Sequence, residues 1–262
     1  MTTGPTTNGV DTASTLAQLV STDARRARVL EDLGLDYCCH GNRPLIDAVE
    51  AAGLDLVDVA RSLDLPAAGT DETALDDTPG RSDLAALAHD VVDTHHAYLW
   101  EEMPRLHALA DKVARVHGER HPELARVKKL YLAAEADLDP HLTREERLVF
   151  PAISRLERTG QAVTTTQGPL EALVGTLIEE HDGVGEIFAE LRTITDGYRT
   201  PADGCASYQA LYAGLAEMEH DLHLHIHKEN NVLFPATLQR ITDLADATAG
   251  QAQENLVSSL SR

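Results

Sequence analysis

From Ser82 onward the chain repeats apolar positions at steps of three and four, the period at which one face of an α-helix is buried. One stripe runs Val92, His96, Leu99, Met103, Leu106, Ala110, Val113. A second runs Leu124, Val127, Tyr131, Ala134, Leu138, His141, Glu145, Leu148, Ala152. The third runs Leu170, Val174, Leu177, His181, Val184, Phe188, Leu191, and the fourth Leu211, Leu215, Met218, Leu222, His225, Glu229, Val232, Ala236. Turn-forming stretches interrupt the pattern at "HGERHPE" (117–123), "TGQAVTTTQGP" (159–169) and "TDGYRTPADG" (195–204). Four amphipathic helices with three short connections predict an up-down-up-down four-helix bundle over 82–240. Residues 241–262 form a C-terminal extension that either prolongs the last helix or frays from it.

Upstream the elements are shorter. Residues 1–13 are small and polar and read as an unstructured lead. A helix over 14–33 is closed by Gly34, "DYCCHGN" makes a loop, and Pro44 opens "PLIDAVEAA", which Gly53 ends. "DLVDVARSL" adds another turn of helix, so 14–65 reads as a small helical domain. Residues 66–81, acidic, small and turn-rich, read as a linker.

Composition agrees with an all-α chain, since hydrophobic residues are 43% but aromatic ones only 4%, and Ala and Leu abound. Lys plus Arg number 22 against 43 Asp plus Glu, a formal net charge of −21. That charge repels polyanions and argues against nucleic acid and anionic membrane as partners, while it is compatible with cations. No run approaches the ~20 apolar residues of a membrane helix, and "MTTGPTTNGVDTAS" lacks the features of a signal peptide. Cys38, Cys39 and Cys205 do not make a disulfide framework, which points to a reducing cytoplasm. These patterns leave the oligomeric state open, a homodimer included.

The chemistry lies in a repeated dodecapeptide: "HLTREERLVFPA" at 141–152 returns as "HIHKENNVLFPA" at 225–236. Such a copy suggests one structural unit carrying the same chemistry twice. Each stripe brings one histidine inward (His96, His141, His181, His225), and the repeat helices add Glu145 and Glu229. The intervals from His96 to His141 and from His181 to His225 nearly match, so the four helices can meet in one layer. A lone core histidine is ordinarily satisfied by hydrogen bonding. Two buried carboxylates among four imidazoles are not; they call for cations. Zinc closes a structural site with four ligands, usually including cysteine. Six N/O donors shared between two ions, with both glutamates able to bridge, suit iron or manganese with open positions for an oxo bridge, oxygen or nitric oxide.

Other residues sort by the same register. Asp137 and Asp221, each one turn before a ligand histidine, are candidates to hydrogen-bond it. His95 points partly outward, and His223 and His227 sit about 200° around the helix from His225, so all three read as solvated or rim residues. His107, His117 and His121, near or beyond the bundle end, get the same reading. Cys38 and Cys39 precede the Pro44 helix. They are either small half-buried residues of a helix-loop-helix or thiols that the helix dipole favours as thiolate, able to bind iron or react with NO or a partner's disulfide. No role for Cys205 can be read.

At "HHAYLWEEMP", "KVARVHG", "HLTREERLVFP", "EEHDGVGEI", "CASYQALYAGL" and "HIHKENNVLFP" the chain resembles the RIC family, di-iron proteins for repair of iron centres (the YtfE and ScdA type). "LGLDYCCHGNRPLIDA" resembles that family's small N-terminal domain, and the likeness runs from about residue 14 to 240. His40 departs from the many relatives that have glycine there, which leaves its role open. The resemblance implies a hemerythrin-like bundle with a non-haem, oxo- and carboxylate-bridged pair of iron ions. Its ligands fall on His96, His141, Glu145, His181, His225 and Glu229, and Glu180 becomes a candidate for the metal's access route. It implies repair of clusters damaged by nitric oxide or peroxide, with damaged iron–sulfur proteins as partners and iron supply as the means. Reduction of NO to nitrous oxide at the same centre, and a module that binds or senses oxygen or NO, are the alternatives it leaves.

Overall fold

The computed structural model describes residues 6–7, 9–66 and 83–260. A short hairpin opens it, β1 (Thr6–Thr7) antiparallel to β2 (Val10–Asp11). The unstructured lead expected over 1–13 is thus corrected within these residues. Val10 and Thr12 are buried, and Ile46 N–H donates to the Thr12 carbonyl at 3.2 Å. Four helices follow: α1 (Leu16–Thr22), α2 (Arg26–Asp32), α3 (Leu45–Ala51) and α4 (Leu56–Leu63). Thr15 and Gln18 form a capping box at the start of α1.

The single helix expected over 14–33 is in fact two. Asp23 turns extended, and its carboxylate accepts Arg25 N–H at 3.1 Å, a local bond that competes with the helical ladder. Gly34 and Gly53, both at positive φ, end α2 and α3 where the sequence places the stops. The linker expected over 66–81 lies outside the described residues, apart from Pro66.

These small helices do not close a core alone. The compact unit they form, Met1–Ser82, also takes in Glu217–Val232. Ile226 joins Leu16, Val20, Leu30, Leu45 and Leu63 in its interior. A segment of this size buries too little apolar surface to be more than marginal by itself. At its polar centre Glu31 accepts hydrogen bonds from Tyr37 Oη (2.9 Å), His220 Nδ1 (2.8 Å) and His223 Nδ1 (3.0 Å).

The second unit comprises Asp83–Ala216 and Leu233–Arg262. Here α5 (Leu84–Val91) passes through a π-helical turn, π1 (Val92–His96), into α6 (Ala97–His117). Next, α7 (Leu124–Arg144) passes through π2 (Glu145–Val149) into α8 (Phe150–Thr159). A hairpin of β3 (Thr164–Thr165) and β4 (Gly168–Pro169) leads to α9 (Leu170–Ile194). The last rod is α10 (Ala206–Lys228), π3 (Glu229–Leu233) and α11 (Phe234–Leu260), so the C-terminal extension continues the helix to Leu260. Packing runs α6 on α7, α7 on α9 and α9 on α11. The start of α10 returns to α6, where a Cβ on Gly214 would fall 2.5 Å from Leu106 Cδ2. The fold is the expected all-α four-helix bundle preceded by a small helical domain. Among the described residues no helix is long and apolar enough to cross a membrane.

The π turns correct the inward stripes. A π turn bonds residue i to i+5, so it inserts one residue and swings the following face by about 100°. Val91 is therefore buried rather than Val92. Val149, Phe150 and Ile153 take the inward places beside Ala152, and Leu148 is only half-buried. Leu233, Phe234 and Thr237 replace Val232 and Ala236. Before each turn in the second and fourth rods, every expected position holds.

Glu31 provides a test of the first unit. Burial alone would raise its pKa, but the bonds from His220 and His223 prevail and hold it at about 2, against an ordinary 4.5. Because the folded value is depressed, its contribution to stability is complete above pH 4.5 and is lost as pH falls toward 2. Glu31→Gln should cost about 1–3 kcal/mol at pH 7. It should also flatten the loss of stability over that acid window in urea titrations. An acid limb identical to that of the parent would refute the assignment.

Candidate metal centre

The π turns fall at the residues that carry chemistry. His96 closes π1, Glu145 opens π2 and Glu229 opens π3. His141 and His225 each stand one turn before their glutamate, on the same face. All six are buried: His96, Glu145 and Glu229 have no exposure, His225 1%, His141 and His181 3%.

The side chains converge in two overlapping groups. Ligand atoms of His96, Glu145, His225 and Glu229 lie within 4.8 Å of one another, and so do those of His141, Glu145, His181 and Glu229. Both glutamates belong to both groups. Glu145 Oε2 is 3.4 Å from His96 Nε2 and 3.3 Å from His141 Nε2. His225 Nε2 is 3.1 Å from Glu229 Oε1, and the Nε2 atoms of His141 and His181 are 3.0 Å apart.

The outer nitrogens explain why Nε2 faces inward. His96 Nδ1 lies 3.1 Å from Glu146 Oε1, and His141 Nδ1 lies 2.9 Å from Glu180 Oε2. Each carboxylate accepts the Nδ1 proton and leaves an Nε2 lone pair aimed at the cluster. Trp100 Nε1 holds Glu146 at 2.8 Å, and Arg144 Nη1 holds Glu180 at 2.6 Å. The His141 hydrogen bond is the main reason Glu180 stays ionised. It outweighs burial, and with Arg144 it brings the Glu180 pKa to about 2. The phenylalanines of the two dodecapeptides stack on the imidazoles, Phe150 on His96 at 5.6 Å and Phe234 on His181 at 6.2 Å. Such a layer of anionic oxygens and imidazole lone pairs, closed to water, fits two cations with shared carboxylates. A cleft of about 440 Å³ lined by Val92, Glu146 and Phe150 lies beside His96's partner.

Glu180 thus contacts a candidate ligand directly, and its side chain remains one-third exposed. Glu146 was not legible in the stripe, because it points off the buried face; its one signal is the Glu-Glu doublet. Asp137 is exposed and Asp221 half-buried. The solvated reading of His95, His117 and His227 is corrected, since these are 3%, 5% and 0% exposed. His227 does face away from Glu229, but its Nε2 meets Ser21 Oγ at 3.2 Å and its ring abuts Tyr37. Burial pushes its pKa down to about 4. His223 is half-buried against Glu31. His107 meets Glu135 at 2.6 Å, and His121 meets Asp203 at 2.9 Å.

The cysteines are free thiols. Cys38 is buried, Cys39 half-buried, and their sulfurs are 3.8 Å apart. Asp36 Oδ1 accepts both main-chain N–H groups at 3.0 Å and the Cys38 thiol at 3.3 Å. Cys39, burial and Asp36 together push the Cys38 thiol up, against the pull of the Pro44 helix. His40 pairs with Asp36 at 2.6 Å on the surface.

Residues 87–237 match the Hemerythrin HHE cation binding domain family, and residues 12–66 match ScdA_N, a domain of unknown function. The chain is 28% identical to the iron-sulfur cluster repair protein ScdA of Staphylococcus haemolyticus, over 84% of this chain and 96% of that protein. It is 30% identical to a probable iron-sulfur cluster repair protein of Haemophilus influenzae, over 85% and 96%. Against the iron-sulfur cluster repair protein YtfE of Musicola paradisiaca the identity is 32%, over 86% and 96%. With a cation-binding match over more than half of its length and such relatives aligned almost end to end, the chain belongs to the RIC family, the hemerythrin-like proteins of the ScdA and YtfE type.

Proposed function

We propose that this protein repairs iron–sulfur clusters damaged by nitric oxide or peroxide, and that it does so by supplying iron. The iron would be a non-haem, oxo- and carboxylate-bridged pair held by His96, His141, Glu145, His181, His225 and Glu229. The observation that carries this reading is the sharing of Glu145 and Glu229 by both four-residue groups, as a bridged pair of ions requires. Bound iron there supplies exchangeable metal and open positions for small ligands such as NO or O2. The chain's own residues set the terms of release. Nitrogen and oxygen donors without thiolate bind ferrous iron less tightly than sulfur-rich sites. Glu180 and Arg144, partly exposed beside His141, can orient or relax one ligand. The repair role is supported by the names of the relatives. Three free thiols suit a cytoplasmic setting, and damaged iron–sulfur proteins are the partners the reading requires.

Protein purified without oxygen should hold about two iron ions per chain and restore a dehydratase whose cluster has been stripped by NO. Catalytic release of nitrous oxide over many turnovers, without restored dehydratase, would replace this reading by NO reduction. Chelation should lower the melting temperature, since a ligand at a hundredfold its Kd adds about 2.7 kcal/mol. Glu145→Gln and Glu229→Gln should each lose iron, yet melt no lower than the stripped parent, because each removes a buried negative charge. His227→Ala should lower the melt through lost packing but retain two irons. Iron loss in His227→Ala with retention in His225→Ala would overturn the ligand set.

Glu180→Gln leaves His141 Nδ1 a neutral acceptor and weakens the grip of Arg144. Iron affinity should fall about 10- to 100-fold, measured by competition with a colorimetric chelator. An unchanged affinity would remove Glu180 from the centre.

The vicinal thiols are proposed to act in transfer. Asp36, Cys38 and Cys39 offer ligand atoms within 4.8 Å of one another, and metal binding would release the thiol protons. Cys38→Ser with Cys39→Ser should keep the iron content but slow repair. Parental repair rates from the doubly substituted protein would make the pair structural.

A further inference from the structure

At the end of the bundle where α6 stops and α10 begins stands a cysteine that the repair reading does not use. Cys205 caps α10: its carbonyl accepts Gln209 N–H at 3.0 Å, and the main-chain N–H groups of Tyr208 and Ser207 at the helix start favour a charged sulfur. The side chain is exposed. Gly204 holds the preceding turn tight, since a Cβ there would meet Thr200 Cγ2 at 2.4 Å.

A cysteine at a helix start is common, and by itself it says little. The second observation is His117, the last residue of α6, which is 95% buried (5% exposed). Its Nε2 lies 3.2 Å from Cys205 Sγ, while its Nδ1 is buried without a hydrogen-bond partner among the described residues. A buried N–H with no acceptor costs more than a bare lone pair on the same ring. Nδ1 is therefore the unprotonated nitrogen, and Nε2 carries a proton directed at sulfur. Tyr208 fixes the imidazole, with ring centroids 5.4 Å apart. The neighbouring His121 is taken by Asp203 at 2.9 Å and Glu123 at 3.2 Å, which leaves His117 as the sulfur's partner.

We propose that Cys205 is a reactive thiolate at which this protein forms mixed disulfides with low-molecular-weight disulfides. The His117 N–H meets the sulfur at 3.2 Å at the N-terminal end of α10, and an anion there completes a helix cap that a neutral thiol fills poorly. The Tyr208 N–H is the largest influence and His117 the next; against slight burial they lower the thiol from 9.0 to about 7. In the reaction Cys205 Sγ attacks one sulfur of RS–SR. The new S–S bond forms as the old one breaks, and the electron pair leaves on RS⁻, which takes a proton from water. The small disulfide is the oxidant: Cys205 is oxidised and one RS group is reduced. His117 only stabilises the attacking anion and keeps its proton. Cys38 is built the other way, buried and bonded to a carboxylate, so the two thiol regions should differ sharply in reactivity.

The test uses full-length protein carrying Cys38→Ser and Cys39→Ser, so that one thiol remains. Incubation with glutathione disulfide should give a single mass adduct on Cys205 that dithiothreitol removes, and adding Cys205→Ser should abolish it. Alkylation by iodoacetamide should show a midpoint near the lowered value rather than the ordinary ~8.5. At pH 7 it should run about threefold faster than a free thiol, after allowing for the weaker nucleophilicity of a low-pKa sulfur. His117→Leu should move the midpoint up, and His117→Gln, which keeps an N–H donor, should restore most of the shift. A midpoint near 8.5 in the parental sequence at Cys205, or no adduct, overturns the proposal whatever the His117 variants do. An unchanged midpoint in folded His117→Leu overturns the part given to His117.

Discussion

Glu145 and Glu229 are carboxylates with no exposure, and each belongs to both four-residue groups of the interior. Two such charges in a low-dielectric layer cost several kcal/mol unless cations or donors compensate them. Much of the surrounding sequence serves that condition. Imidazole nitrogens point inward because Glu146 and Glu180 take the outward protons of His96 and His141. Those outer carboxylates need anchors of their own, Trp100 for one and Arg144 for the other. Phenylalanines from the two dodecapeptides cover His96 and His181. The layer is ordered from its charges outward, and apolar packing closes around it.

That order explains why the bundle was legible and where the reading slipped. A period of three and four survives along each rod because one face is buried throughout, so six convergent residues stood out. The π turns left no mark in the period. Each begins or ends on a candidate ligand and inserts one residue, which is why Val149 and Phe150 lie inward where Leu148 was expected. The same one-residue slip appears at Val91 and at Leu233. A π turn widens the helix and forfeits regular hydrogen-bond geometry, a cost found mostly where a side chain must be re-aimed at a functional site. The slip is thus a trace of the site, visible only after the fold is known.

The histidines on the other face show a different limit. His223 and His227 do point away from Glu229, as helical geometry requires, and from a bundle alone they would be solvated. In the first unit, however, Glu217–Val232 completes a core that four short helices cannot close. His227 is buried against Tyr37, and Glu31 collects His220 and His223. Helical periodicity says which way a side chain points; it does not say what comes to cover it. Between Glu217 and Val232 only Glu217 is exposed, which leaves few positions of α10 and π3 free to vary without loss.

The thiols make the same point through electrostatics. Cys38 and Cys39 were singled out because they are adjacent and precede a helix, yet α3 begins only at Leu45 and the nearest strong charge is Asp36. An acceptor beside a buried thiol keeps the proton on sulfur, so proximity to a helix start did not decide the outcome. Cys205 offers no pattern at all in sequence, because its partner His117 lies in another helix, 88 positions away along the chain. Reactivity follows the donors that face the sulfur, and those are assembled by the fold. Cys38, buried and bonded to Asp36, is suited to holding its proton. The exposed thiol is suited to meeting oxidised small molecules first. The two kinds of thiol stand on different elements, Cys38 in the loop before α3 and Cys205 at the start of α10, so each takes its reactivity from its own neighbours.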